Sequence, residues 1–218
     1  MNLDELQKFH ISIEKGNLPF IIKFPIIFIS AWTFQGMLQM DKTEKLFKIF
    51  LEIIFFIPLL IIFNRFPFFL LNILISILIA HSLNFIFNGQ IFAMLKNFHI
   101  IYTDNDIFMR YIENLKKRLN KNNSIVFVAV YGSFTRGHHK VTSDLDVRMI
   151  RKNGFFNALN SCFFVLFERS KAFLNRFPLD IYLYDNFKKL STLKEEPTII
   201  YDPENYSITF DKKVVENN

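Results

Sequence analysis

The chain has 218 residues with a formal net charge of +6, and 51% of them are hydrophobic, including 29 phenylalanines. The basic residues are dispersed and no separate RNA-binding domain is recognisable, so the sequence argues against a genome-scale nucleic-acid polymerase. The single cysteine, Cys162, excludes a disulfide framework within the chain and suits a reducing compartment. The apolar residues are concentrated before residue 95, which predicts a membrane-bound protein.

The N-terminal segment does not have the pattern of a secretory signal. Residues 1–16 are polar and lack a basic leader, an apolar core and a small-residue cleavage site. The next stretch, 18–34, is apolar, but Lys23 and Pro25 interrupt it and Trp32 is placed as an interfacial anchor. This pattern predicts a helix over about 18–34 that lies in the plane of the membrane surface rather than a third span.

Two longer apolar stretches follow. Residues 49–63 are interrupted only by Glu52 and Pro58, and the stretch extends back to Leu46, which gives a predicted span over about 46–63. Residues 66–87 contain no acidic residue, lysine or arginine. Their lengths approach the roughly 20 residues that a helix needs to cross a bilayer. A transmembrane helical hairpin is the simplest architecture, because a helix satisfies its own backbone groups in lipid. A shallow re-entrant hairpin is the alternative.

The distribution of basic residues predicts the orientation of this hairpin. Arg65 is the one basic residue in the short turn, whereas lysines lie on both outer sides. Basic residues favour the cytoplasmic side of a membrane. We therefore expect the N-terminus and the C-terminal half to face the cytoplasm. The flanking lysines are Lys42, Lys45, Lys48 and Lys96.

The second apolar stretch carries a stripe of small and polar residues. Asn72, Ser76 and Ala80 are spaced by four and share one face of a helix. Such a stripe is typical of helix packing inside membranes. We expect it to contact the first helix of the hairpin or a second subunit, which allows a homo-oligomer through the membrane helices.

The C-terminal half has the sequence patterns of both helices and strands. A helix with one apolar face is expected from about Asp106 to Lys121. The run Ile125–Tyr131 contains no charged residue and predicts a strand buried on both faces. A strand over Asp144–Met149, a helix over Phe155–Leu174 and a strand around Asp180 follow.

The ends of these strands carry the residues with recognisable chemistry. Gly132 and Ser133 directly follow the first strand, where a glycine lets the backbone approach a phosphate and free N–H groups attract anions. Asp144 and Asp146 share one face of their strand, and Asp180 can join them from a neighbouring strand. Three converging carboxylates repel each other unless cations lie between them. Hard oxygen ligands suit Mg²⁺ or Mn²⁺, here as a pair of ions.

Together these motifs resemble a known family. Gly132-Ser133, Arg136-Gly137, Ser143-Asp144-Leu145-Asp146-Val147 and Leu179-Asp180-Ile181 are similar to the minimal nucleotidyltransferases of the polymerase-beta-like superfamily. The resemblance implies an α+β fold with a small mixed sheet flanked by helices, an NTP donor, and transfer of a nucleoside monophosphate with pyrophosphate leaving.

Within this motif we expect two groups of site residues. Gly132, Ser133, Arg136 and Ser143 would bind the nucleotide. The metal-binding and catalytic residues would be Asp144, Asp146 and Asp180. Thr135 departs from the small alanine that is common at its position in the family, without removing a charge.

These observations predict a membrane region at 1–95 and a nucleotidyltransferase domain at 96–218. The leading hypothesis is a membrane-anchored nucleotidyltransferase of the cell membrane, with its catalytic domain in the cytoplasm. Its expected partners are an NTP, membrane lipid, and an acceptor hydroxyl or phosphate on a small molecule, a lipid-linked, sugar or head-group precursor, or a protein. One alternative is an enzyme that nucleotidylates a partner protein, and another is a catalytically silent nucleotide-binding scaffold.

Overall fold

The structure is a computed structural model of the chain. It describes residues 19–64, 67–89, 91–96, 98, 101–135, 141–193 and 196–207. The predictions for residues 1–16, for Arg65 in the hairpin turn and for Arg136 in the motif fall outside the described residues.

The N-terminal half is helical, as the apolar stretches predict. Its helices are α1 (Phe20–Phe34), α2 (Lys42–Phe63), α3 (Phe69–Asn88) and the short α4 (Ile91–Lys96). By length and composition alone, α2 and α3 could each cross a membrane. Helix α2 starts four residues before the predicted span, immediately after Asp41, and α3 starts at Phe69 rather than at the predicted residue 66.

The stripe of small and polar residues on α3 is buried, as predicted. Asn72, Ser76 and Ala80 are at most 3% exposed, and α3 packs against α2. One turn beyond the stripe, Asn84 donates a 2.8 Å hydrogen bond to the carboxylate of Glu52 on α2. The polar residues of α3 therefore serve helix packing within the chain.

A polar cluster joins α1 to the two longer helices. The Nε2 atom of His81 lies 2.8 Å from the carbonyl oxygen of Trp32, and its Nδ1 atom lies 3.1 Å from the Glu52 carboxylate. Gln35 donates a 3.0 Å hydrogen bond to the carbonyl of His81 and accepts one at its own carbonyl from Lys48. Lys48, one of the predicted flanking lysines, is therefore buried at 1% exposure rather than placed at a surface.

The C-terminal half contains two long helices, four strands and a single 3₁₀ turn among its described residues. In chain order the elements are α5 (Asn105–Leu119), β1 (Ile125–Tyr131), β2 (Leu145–Arg151), α6 (Phe155–Leu174), β3 (Leu179–Tyr184), the 3₁₀ turn (Leu190–Thr192) and β4 (Thr198–Tyr201).

The four strands form one mixed sheet in the order β3-β2-β1-β4. Strands β2 and β3 are parallel, and β1 is antiparallel to both β2 and β4. One face of the sheet, including Val147 and Ile181, packs on α5 and α6. The opposite face, including Phe127 and Tyr182, is covered by the segment that contains Met40 and by the turns after β3. The predicted α+β fold with a small mixed sheet flanked by helices is confirmed.

The first turns of α2 cover the outer edge of the sheet. Glu44 accepts a 2.9 Å hydrogen bond from the amide of Leu183 on the edge strand β3. Arg169 of α6 donates to the carbonyl of Ile181 on the same strand and pairs with Glu44 at 2.5 Å. An uncovered edge strand invites pairing with other chains, and these side chains occupy its backbone groups. Helix α2 of the N-terminal half thus packs against the C-terminal half, across the predicted domain boundary between residues 95 and 96. The boundary itself stays a prediction.

We predict that Arg169→Met destabilises the protein by about 3–5 kcal/mol, because it leaves the Glu44 carboxylate buried without its cation. Both side chains of the pair are at most 2% exposed. Denaturant unfolding of the purified protein in detergent measures the effect. The matched control is Lys152→Met, since Lys152 and Glu204 form an exposed pair at 3.9 Å that contributes little. Equal stability of the two variants would contradict the structural role of the buried pair.

Candidate metal and nucleotide site

The turn after β1 is fixed by its glycine. Gly132 adopts a φ of +83°, a conformation that side chains with a Cβ atom rarely adopt. A Cβ atom at this position would lie 2.3 Å from Oδ2 of Asp146, so no larger residue fits without moving that carboxylate. The hydroxyl of Thr135 donates a 2.9 Å hydrogen bond to the Gly132 carbonyl and closes the turn. The departure at Thr135 therefore contributes to the local structure.

Three carboxylates converge beside this turn. Asp146 and Asp180 are directly paired in register on the parallel strands β2 and β3, so their side chains emerge from the same face of the sheet. Asp144 immediately precedes β2 and is 8% exposed. One oxygen of each carboxylate lies within 4.8 Å of the others. The structure thus brings together the three acids that the sequence analysis selected.

Arg148 places a positive charge against these acids. Its guanidinium donates a 2.9 Å hydrogen bond to the Asp180 carboxylate and lies 3.4 Å from the carboxylate of Asp146. It also donates at 2.9 Å to the carbonyl of Asp180. These contacts fix the side chain and the backbone of the edge-strand acid together.

The surroundings of Arg148 strengthen its charge. Burial alone would lower the pKa of its guanidinium, but the attraction of Asp180 and Asp146 outweighs burial and raises the pKa. Its guanidinium carbon lies 4.9 Å from the ring centre of Tyr182, on the same face of the sheet. Burial raises the pKa of the Tyr182 phenol, so that ring stays neutral beside the cation. Arg148 therefore stays protonated at physiological pH and offsets part of the negative charge.

The remaining predicted residues lie around the same point. Ser133 occupies the turn beside Gly132, and Ser143 directly precedes Asp144; both are half-buried. Arg136 falls outside the residues that the structure describes. The nucleotide contacts assigned to these residues stay predictions.

Sequence reasoning did not select Arg148 as a site residue. The signal was present, because Arg148 shares its strand face with Asp146 in the alternating pattern of β2. The alternating pattern of one strand does not predict that β2 pairs with β3. That pairing places Asp180 within reach of the guanidinium.

Comparison with known proteins agrees with this geometry. Residues 113–215 match the family described as Polymerase beta, Nucleotidyltransferase. The match supports the assignment of the C-terminal half to the polymerase-beta-like superfamily, and at family level it supports nucleotidyltransferase activity. No curated protein matches the chain.

Nucleotidyltransferases of this superfamily generally use divalent metals, and the residues present fit such ions. Carboxylate oxygens are the ligands that Mg²⁺ and Mn²⁺ prefer. Among the described residues, Asp144, Asp146 and Asp180 are the one group of three potential ligands that lies close enough to share an ion. Arg148 compensates only part of their charge, which leaves a site of net negative charge for cations.

We predict that Gly132→Ala strongly weakens Mn²⁺ binding, because the added Cβ atom displaces the Asp146 carboxylate. Titration of the purified protein with Mn²⁺, followed by electron paramagnetic resonance of the free ion, measures the affinity. Gly154→Ala is the matched control, since Gly154 also has a positive φ of +109° but its Cβ atom would meet only Asn157 at 3.5 Å. Similar Mn²⁺ affinity in both variants would contradict the proposed role of the contact between turn and carboxylate.

We predict that Arg148→Met lowers the melting temperature in EDTA and that added Mg²⁺ restores part of the loss. Without the guanidinium, Asp146 and Asp180 repel each other, and a cation between them relieves the repulsion. Thermal unfolding with and without Mg²⁺ measures both effects. If Mg²⁺ raises the melting temperature of the variant no more than that of the wild type, Arg148 does not compensate the carboxylates.

Proposed function

We propose that the protein transfers a nucleoside monophosphate from an NTP to a hydroxyl or phosphate acceptor, in the manner of the minimal nucleotidyltransferases. The observation that carries this proposal is the convergence of Asp144, Asp146 and Asp180 beside the Gly132 turn. An acidic cluster alone is common on protein surfaces. An acidic cluster in contact with a phosphate-binding turn, within a domain that matches a nucleotidyltransferase family, supports a specific reaction.

The chain supplies two functional parts to this reaction. The backbone N–H groups of the turn and the hydroxyl of Ser133 would receive the triphosphate, because close approach is possible only beside a residue without a Cβ atom. Asp144 and Asp146 would hold both divalent ions, and Asp180 would complete the ion site nearest the acceptor. Bound there, divalent ions supply charge stabilisation at the phosphate and activation of the acceptor oxygen.

The proposed transfer balances without a covalent enzyme intermediate. The acceptor oxygen forms a bond to the α-phosphorus while the bond from that phosphorus to the pyrophosphate oxygen breaks. When the acceptor is a hydroxyl, its proton leaves to water past the carboxylate of Asp180. Arg148 keeps that carboxylate in place through its contacts with the side chain and carbonyl of Asp180.

We further propose that the enzyme is anchored in the cell membrane through α2 and α3, with its N-terminus and catalytic domain in the cytoplasm. Both helices are long and apolar enough to cross a bilayer. Their outward surfaces carry large exposed apolar side chains, including Ile61 at 68% and Leu70 at 80% exposure. Surfaces of this kind are costly in water and favourable in lipid.

Substitution of the acids tests the transferase. We expect Asp146→Asn and Asp180→Asn to lower NTP-dependent pyrophosphate release by more than about 100-fold. Mutation of a residue that only hydrogen-bonds to a metal ligand already lowers metal affinity or activity by about 10- to 100-fold. The assay uses the detergent-solubilised protein with each of the four NTPs, Mg²⁺ and a cell extract as the source of acceptor. Asp106→Asn, an exposed acid in the first turn of α5, is the control and should retain activity.

The outcomes separate the candidate functions. Unchanged release in Asp146→Asn would exclude the proposed site. Binding of NTP and Mg²⁺ without release in any extract fraction would favour a nucleotide-binding scaffold. A co-purifying protein that gains the mass of a nucleotide would identify a protein acceptor.

A further inference from the structure

The contacts of α2 with α6 give the direction in which the apolar hairpin leaves the domain. Glu44 in the first turn of α2 pairs with Arg169 near the end of α6. One turn further along α2, the ring centre of Phe47 lies 5.1 Å from that of Phe163, which is closer to the start of α6. Helix α2 therefore runs towards the start of α6.

Helix α3 gives the same direction. Its last residue, Asn88, accepts a 2.6 Å hydrogen bond from the guanidinium of Arg169. One turn further along the chain, the ring centre of Phe92 in α4 lies 5.6 Å from that of Phe173, which is closer to the end of α6. The chain from α3 to α4 thus advances towards the end of α6. The tip of the hairpin, where α2 ends and α3 begins, therefore lies towards the start of α6.

The start of α6 lies at the end of the sheet away from the carboxylates. Strand β2 begins directly after Asp144 and ends at Arg151, and α6 then starts at Phe155. The distance along the strand from Asp146 to Arg151 is about 17 Å. The hairpin tip and the three carboxylates therefore lie towards opposite ends of the sheet.

Exposed lysines gather at the end of the sheet where α6 starts. The amide of Lys152 donates a 2.7 Å hydrogen bond to the carbonyl of Ser124, which joins the end of β2 to the chain between α5 and β1. Arg151 pairs at 2.7 Å with Asp185, which directly follows β3. These contacts bring the end of α5, the residue after β2 and the turn after β3 to one surface. We call this surface the basic end; it consists of the exposed residues Lys116, Lys117, Lys121, Lys152, Lys188, Phe155 and Phe156.

The basic end combines positive charge with two aromatic rings. Among the described residues there, the exposed acids Glu113 and Glu204 accompany the five lysines, which leaves an excess of three positive charges. Phe155 and Phe156 are 76% and 77% exposed, and their ring centres lie 5.6 Å apart. Large apolar side chains beside lysines suit the boundary between lipid and water, where anionic head groups attract the charges.

We infer that the basic end binds the anionic head groups of the bilayer in which the hairpin is anchored. This inference goes beyond the proposed reaction and rests on the proposed membrane anchor. The hairpin tip and the basic end lie on the same side of the domain, so the lipid around the tip lies near the lysines. The carboxylates lie about 17 Å away along the strands, so head groups bound at the basic end would not cover them.

Spin labelling of the full chain tests this contact. In a Cys162→Ala background, single cysteines replace Ile61, Asn153 or Asn175, and each carries a nitroxide. The protein is reconstituted in vesicles of phosphatidylcholine, alone or with an equal amount of phosphatidylglycerol. A gadolinium chelate attached to a lipid head group relaxes the labels that lie near the vesicle surface. Asn175 is the matched control for Asn153, because both are exposed and flank α6, which is about 30 Å long.

The response to anionic lipid decides the inference. We expect phosphatidylglycerol to increase the relaxation rate at position 153 at least about twofold, because each lysine near the surface adds attraction, and to leave position 175 unchanged. About 1 M NaCl should remove the increase, because the Debye length then falls to about 3 Å. An equal response at both positions, or no response at position 153, would overturn the inference.

The label at position 61 tests the anchor separately. In both kinds of vesicle it should collide mainly with oxygen, which concentrates in lipid. If it collides mainly with a water-soluble nickel chelate, the membrane anchor is wrong and the inference fails with it. If position 61 is in lipid and position 153 does not respond to phosphatidylglycerol, the anchor stands and the basic end does not bind head groups.

Charge reversal tests the lysines themselves. Lys116→Glu with Lys117→Glu reverses two charges of the basic end, and Arg110→Glu with Arg176→Glu reverses two exposed charges outside it. We expect only the lysine variant to lose the response of position 153 to phosphatidylglycerol. Loss in both variants would indicate an effect of net charge, and loss in neither would exclude the lysines; either result overturns the inference. Pyrophosphate release by the same samples reports the proposed transfer independently of this contact.

Discussion

The buried pair of Glu44 and Arg169 holds the two halves of the chain together. Two opposite charges removed from water stabilise a structure only when their remaining hydrogen-bonding atoms also find partners. Here the partners are the backbone groups of Leu183 and Ile181 on the edge of the sheet and the side chain of Asn88, while Nε of Arg169 is buried without a hydrogen-bond partner among the described residues. The same contacts cover an edge strand that would otherwise pair with other chains. The helical hairpin is therefore fixed against the strand that carries Asp180.

A second electrostatic constraint governs the site. The parallel register of β2 and β3 places Asp146 directly beside Asp180, an arrangement that costs free energy in the absence of cations. Arg148 supplies one cation from within the sheet, and its backbone hydrogen bond restricts how far the edge-strand acid can move. The three carboxylates are thus held close together and only partly neutralised, which favours the binding of divalent cations.

Local patterns in the sequence predicted much of this structure. The bounds of α6 and the burial of β1 follow from apolar runs, and the shared face of Asp144 and Asp146 follows from the period of a strand. The ion pairs Glu44–Arg169 and Arg148–Asp180 were not predicted, because each joins residues that are far apart in the chain. The period of apolar residues within one helix or strand does not predict which elements pack against each other. The burial of Lys48 was not predicted for the same reason, because it depends on the carbonyl of Gln35, the residue that follows α1.

The close contact between Gly132 and Asp146 makes the Gly132 turn and the group of carboxylates mechanically dependent on each other. A shift of the turn to admit a triphosphate must move against the carboxylate or carry it along, since there is no space between them for a single carbon atom. Coupling of this kind is reciprocal: occupancy of either position changes the affinity of the other by the same factor. Nucleotide and metal would then not bind independently of each other.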